Sequence, residues 1–219
     1  ATSKDGVRTI RMEDAKQVSQ RSNMRYDRNG DEHYDILSAF QKSIRGSDEN
    51  AALHYLARLL SAGDLLSACR RLLVIAAEDI GLAYPQAITI VKSCVDAALQ
   101  LGLPEAQLPL AEAVVLLATA PKSNSCAKAI WAAMDDIKNT EIGSIPMTLR
   151  DTHYSGAQKL GRGGYRYPHD YPNHYVEQQY LPDALAGRVY YEFGDNKNEQ
   201  AAKAYREKIT GRKMENKSE

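Results

Sequence analysis

Several things that would point to a particular class of protein are scarce here or missing. No apolar run approaches the roughly 18 residues of a membrane span, and no signal-peptide pattern opens the chain. Cysteine is rare. Cys69, Cys94 and Cys126 each sit alone in an apolar run, with no CxxC pair and no His at zinc spacing. That excludes a disulfide framework and a Cys/His zinc module, and it leaves three small core residues expected in a reducing, cytoplasmic compartment. Net charge is absent, because 28 basic residues balance 28 acidic ones. A dedicated, strongly basic nucleic-acid sleeve is therefore not expected. Phosphate-cradling glycine loops of the GxxxxGK[ST] type do not occur. Phe and Trp are almost missing, with two and one copies, against thirteen Tyr.

What is present divides along the chain. Residues 1–28 carry seven Lys/Arg and four Asp/Glu, as do residues 196–219, so the stretch between them is net acidic by six. Basic ends of this kind are usually solvated helix faces and also suit auxiliary phosphate contacts. The opening residues read as a strand or loop followed by a helix over 12–25, and the chain is expected to be a fragment of a longer protein. After a turn at Asn29-Gly30 the apolar period becomes helical and stays so to about Thr140.

Ile36, Leu37, Phe40 and Ile44 mark one helix face ending at Gly46, the expected left-handed C-cap glycine. Ser47 or Asp48 then caps a second helix, whose stripe reads Leu53, Leu56, Ala57, Leu60, and Gly63 and Asp64 punctuate the next boundary. The polar knot Lys42, Arg45, Ser47 is thus stop-and-start punctuation, with an anion site at the helix N-terminus as the lesser reading. "DLLSACRRLLVIAAEDIG" is apolar nearly all round and reads as a central helix. Pro85 opens the next helix, Pro109 lies in or just after the first turn of the one after, and Ser123 or Asn124 caps a last one. That last helix has Ile130, Met134 and Ile137 as its inner face and Trp131 beside it. Six or so helices with short connections give an all-α domain.

From Gly143 to residue 195 the chain is rich in Pro, Gly and Tyr, and a final helix is expected over Asn198–Lys213 before a disordered "MENKSE". The tyrosines come with arginines: Tyr165, Tyr167, Tyr171 and Tyr175 with Arg162 and Arg166. Packing over the helices comes first for this strip, an oligomer contact second, and stacking of unpaired bases third. His169, Asp170 and His174 are too loosely spaced to make a metal motif. Arg70, Arg71, Glu78 and Asp79, charges in an apolar helix, demand partners and read as a structural polar network. Lys122 directly before Ser123 has the wrong spacing for a Ser/Lys nucleophile, so a hydrolase using these residues, or Arg71 and Glu78, ranks last.

The order of motifs then carries a resemblance. "YDRNGDEHYDILSAFQKSIRGSDENAALHYLARLL", "CRRLLVIAAEDIGLA", "PEA", "APKSNS", "IPMTLRD", "GYRYPHDYPN", "YLPD" and "YYEFG" occur in sequence. Together they resemble the C-terminal half of the RarA/MgsA family of AAA+ ATPases, whose eukaryotic relative is the Werner helicase-interacting protein. The resemblance covers residues ~20–213. It departs from the family pattern at Thr148, where the family often has His, and in a shorter loop after Gly63. It implies a clamp-loader-collar-like helical domain over residues 30–142, with 1–29 as the tail of the ATPase lid and 143–219 as a Tyr-rich extension. It implies no catalytic or cofactor site in this stretch, with ATP and Mg held by the N-terminal half of the parent. It also implies a homotetramer acting at stalled or gapped replication forks, in contact with DNA and single-strand-binding protein, cytoplasmic and nucleoid-associated.

Overall fold

A computed structural model describes residues 2–4, 7–9, 31–153 and 163–213. The helix expected over 12–25, the Asn29-Gly30 turn, Arg162 and the "MENKSE" tail lie outside them. The class is all-α, as the periodicity predicts. A short hairpin pairs β1 (Thr2–Lys4) antiparallel to β2 (Val7–Thr9). The helices are α1 (Asp31–Arg45), α2 (Glu49–Ser61), α3 (Leu65–Ile75), α4 (Ala87–Leu101), α5 (Gln107–Thr119), α6 (Ser125–Asn139) and α7 (Lys197–Thr210). The chain forms two compact units, one of residues 1–75 with 89–119, the other of residues 76–88 with 120–219.

In the first unit, α2 packs against α1, α3 and α5. Ile36, Leu37, Phe40 and Ile44 of α1 are all buried, as their spacing predicts. Helix α2 differs from expectation. Its buried residues are Ala52, Leu56 and Leu59, whereas Leu53 and Leu60 are half-buried and Ala57 is exposed. Apolar residues occupy 52, 53, 56, 57, 59 and 60, an arc too broad for periodicity to locate its centre. Helix α3 is likewise not buried all round: Ala68, Cys69, Leu72 and Ile75 face inward while Leu66 and Val74 are exposed. Pro109 sits in the first turn of α5 as expected, but α4 begins at Ala87, two residues after Pro85. Asp64 is fully buried. One carboxylate oxygen accepts from the Ser67 N–H at 3.2 Å, capping α3, and the other faces His33 Nδ1 at 3.3 Å.

The knot between α1 and α2 is punctuation, with one correction. Ser47, not Gly46, takes the left-handed conformation, at φ 59°. The Ser47 N–H bonds the Ile44 carbonyl and the Asp48 N–H bonds the Ser43 carbonyl, closing a Schellman motif around Ser47. Asp48 then caps α2, its carboxylate accepting from the Ala51 N–H at 2.8 Å.

In the second unit the chain runs through a π turn (Ala76–Ile80) and a 3-10 turn (Gly81–Ala83). Helix α6, an irregular stretch with short 3-10 turns, and α7 complete it. The expected inner face of α6 is its outer face: Ile130, Trp131, Met134 and Ile137 are 45–58% exposed, and the buried residue is Asp136. Helical spacing locates a stripe but not its direction, and here the direction follows the partners of Asp136.

The cap geometry separates two neighbouring residues. Asp48→Ala should cost about 1 kcal/mol of folding free energy. Ser47→Gly should leave stability equal or higher, since glycine adopts φ near +60° without a Cβ penalty. Urea midpoints of the two variants measure this, and a loss at Ser47→Gly matching that at Asp48→Ala would contradict the assignment.

Candidate functional site

A dense polar cluster lies in the second unit, around Glu199. This side chain has no solvent exposure. Its Oε1 accepts from the Tyr191 hydroxyl at 2.7 Å and from the Gly194 N–H at 3.1 Å, and its Oε2 accepts from the Asn196 side-chain amide. Asn196 caps α7 in turn, its Oδ1 accepting the Glu199 N–H at 3.0 Å. The pair is a reciprocal cap of the Asn-x-x-Glu kind. Gly194 allows the approach, because a Cβ there would stand 2.7 Å from Glu199 Oε2. Burial pushes the Glu199 carboxyl up, but hydrogen bonds from Ser123, Tyr191, Gly194 and Asn196 outweigh it and hold the group below the usual carboxylate value. The Tyr191 hydroxyl is pushed far up by burial and by its bond to Glu199.

Three motif segments meet here. The Ser123 N–H donates to the Asp79 carbonyl at 2.9 Å, tying "APKSNS" to the π turn of "AAEDIG". Gly81, at φ 47°, leaves only 3.0 Å between an imagined Cβ and the Ser123 carbonyl, so a larger residue would part the two strands of chain. Asn198 donates to the Ala83 carbonyl at 2.7 Å, bringing in the start of α7. Burial lowers the Lys122 ammonium and nearby Asp79 opposes the shift, while burial raises the Cys126 thiol.

A second anchor fixes α6. Asp136, in its last turns, accepts a bidentate pair from Arg188 (Nε at 2.8 Å, Nη2 at 2.9 Å) and a third bond from the Tyr190 hydroxyl at 2.9 Å. Hydrogen bonds from Arg188 and Tyr190 hold its carboxyl below the usual range against burial. With Asp136 held inward, the opposite side of α6 presents Ile130, Trp131, Met134 and Ile137, and Ile142 and Ile145 beyond it are exposed too. No single feature of the sequence pairs Asp136 with residues more than fifty positions away. The Asn196-x-x-Glu199 box, by contrast, is legible as a cap signal.

The tyrosine strip is ordered by its own polar groups. Tyr165 and Tyr167 are exposed, Tyr171 and Tyr175 half-buried. The Arg166 guanidinium lies 4.9 Å from the Tyr171 ring centre and donates to the Tyr171 hydroxyl and the Glu177 carbonyl. Gln178 bridges the backbone N–H and carbonyl of Arg166. From α7, Arg206 stacks over Tyr175 at 5.3 Å, and just beyond the helix Arg212 pairs with Glu177. Tyr167, His169 and His174 form a ladder of tilted rings at 5.1 and 4.9 Å. Among the described residues no group of three His, Cys, Asp or Glu could hold a metal ion. Arg162 lies outside the described residues.

The remaining candidates lie in both units. Arg70 is exposed, and Arg71 donates to Gln41 at 2.7 Å in the first unit. Glu78, half-buried, and Asp79, buried, lie in the π turn of the second unit. Lys42, Arg45 and Ser47 are all exposed, and the N-terminus of α2 beside them is occupied by the chain's own Asp48 carboxylate. No described helix is long and apolar enough to cross a membrane.

Comparison with known proteins places these features. A family model described as MgsA AAA+ ATPase C terminal matches residues 46–210, and one described as AAA C-terminal domain matches residues 1–45. The "Replication-associated recombination protein A" of Bacillus subtilis (strain 168) is 54% identical over 213 residues, which is 96% of this chain and 51% of that protein. The Escherichia coli (strain K12) protein of the same name is 37% identical over 85% of this chain and 42% of its own length. The "ATPase WRNIP1" of Dictyostelium discoideum is 33% identical over 80% of this chain and 20% of its own length. The chain thus spans about half the length of the Bacillus relative, and less of the others.

The buried carboxylate gives a pH test. Its folded-state proton affinity is lower than the usual 4.5, so acid favours the unfolded chain. The stability contributed by the charge is complete above the unfolded value and drains away as pH falls through the lower folded one. Glu199→Gln should therefore melt below wild type at neutral pH, and the gap should narrow as the pH falls below about 4.5. Thermal melts across that range decide it, and a gap that stays constant would show that the charge plays no part.

Proposed function

This chain belongs to the MgsA AAA+ ATPase C-terminal family, and from that membership we propose that it is the non-catalytic homo-oligomerisation region of a replication-associated recombination ATPase. The observation that carries the proposal is the outward apolar stripe of α6, with Ile130, Trp131, Met134 and Ile137 each about half exposed. A contiguous apolar strip that includes a tryptophan is the composition of an interface core. Covering it on association removes four large apolar side chains from water, on the order of several kcal/mol before the costs of docking.

In this reading residues 1–29 finish the ATPase lid, 30–142 form the collar and 143–219 the extension. ATP and Mg belong to the parent's nucleotide domain. Because AAA+ sites form between subunits, a collar that holds the subunits in register sets the geometry of hydrolysis without touching nucleotide. The parent acts in the cytoplasm on nucleoid DNA, at stalled or gapped forks, as a tetramer with DNA and single-strand-binding protein as partners.

A second reading, a nucleic-acid-binding module, draws on α7. Residues 197–213 hold six Lys/Arg against two Glu, one of which is the buried Glu199. Arg206 and Arg212 place that basic helix against the tyrosine strip. Binding of single-stranded DNA that weakens steeply with salt would support it; no binding at low salt would remove it for this chain.

For the principal reading, light scattering of the chain at tens of micromolar should give a multiple of the 24.3 kDa monomer. Met134→Asp should give the monomer with unchanged helical content. A monomeric wild type, or a variant that keeps the wild-type mass, would refute the role of this face.

A further inference from the structure

The first unit carries an apolar groove of about 410 Å³ between α2 and α5, and its walls include Leu53, Ala57 and Leu60 on one side and Leu103, Leu108 and Ala111 on the other. Leu108 is 68% exposed. Helix α5 is apolar on nearly its whole circumference, and one that is so coloured needs cover on every side. The groove is concave and the α6 stripe convex. Ile130, Met134 and Ile137 stand at i, i+4 and i+7, the spacing with which a helix lays its apolar face into a groove between two others.

We propose that the α6 ridge of one copy seats in the α2–α5 groove of the next copy, so that the assembly is joined head to tail. This rests on the oligomerisation reading above and names the surface that receives α6. Charges at the margins support a second copy as the occupant. Glu105 and Glu112 are exposed beside the groove, and Lys138 is exposed beside the ridge. Asp135, also at the ridge margin, is bonded by the Asn139 amide at 2.8 Å. Pairing α6 with α6 about a two-fold axis would cover the ridge but leave the leucines of the groove in water. Each copy offers one ridge and one groove, which makes the contact heterologous, and repetition of it closes a ring or extends a chain of subunits.

Head-to-tail joining has a signature that a two-fold contact lacks. Met134→Glu spoils the ridge and leaves the groove, while Leu108→Glu spoils the groove and leaves the ridge. Both positions are exposed, and Ile130→Ser with Ala57→Trp serves as a second pair should either fail to fold by circular dichroism. Each variant alone should be monomeric by light scattering. Their equimolar mixture should double in mass and stop there, because one intact ridge meets one intact groove and the other two faces are broken. A groove variant that keeps the wild-type mass overturns the proposal and leaves oligomerisation standing. A mixture that stays monomeric also overturns it. A monomeric wild type removes the oligomerisation reading and the proposal with it.

Discussion

A carboxylate with no access to water must be met by protein donors, and meeting it organises the second unit. Glu199 draws in the Tyr191 hydroxyl, the Gly194 N–H, the Asn196 amide and Ser123. These donors lie on the loop before α6 and on the segment leading into α7, whose first turn carries Glu199 itself. An unpaired buried charge costs several kcal/mol, so the segments have little freedom to separate. The fold there depends on this one polar knot more than on an apolar core: apart from short turns near residues 76–88, the described part of this unit buries few large apolar side chains.

That difference explains what could be read from the amino-acid pattern. The helices of the first unit are held by apolar periodicity and by caps, both local signals. Phe40 and Ile44 in the core and Asp64 at the start of α3 were therefore legible. Where the apolar arc was too wide, as on α2, its existence was legible and its centre was not. In the second unit the decisive contacts join Asp136 to Arg188 and Tyr190 and Glu199 to Ser123, pairs separated by long stretches of chain. No period announces them. The order of the tyrosine strip was inferred from composition, but its actual ties, Gln178 to the Arg166 backbone and Arg206 to Tyr175, depend on tertiary placement.

The two units also differ in what they leave uncovered. The first, held by apolar packing, ends with a groove of leucines that its own helices do not fill. The second, held by hydrogen bonds, can afford to turn its apolar residues outward. Both are apolar surfaces in contact with water, and they are the two faces that the proposed head-to-tail contact joins.

Asp136 connects the anchoring of the second unit to its outer surface. A stripe at i, i+4, i+7 on an isolated helix would turn inward, since burial of Ile130, Met134 and Ile137 is worth more than burial of the alanines that face in instead. It does not, because rolling α6 would carry Asp136 away from the Arg188 fork and the Tyr190 hydroxyl and strand the arginine's partner. Three charge-assisted or hydroxyl bonds converge on that one side chain. Replacing such a cluster with apolar residues often stabilises a protein in isolation. What the cluster contributes here is direction: it holds the apolar ridge toward solvent, which the proposed docking of a second copy requires.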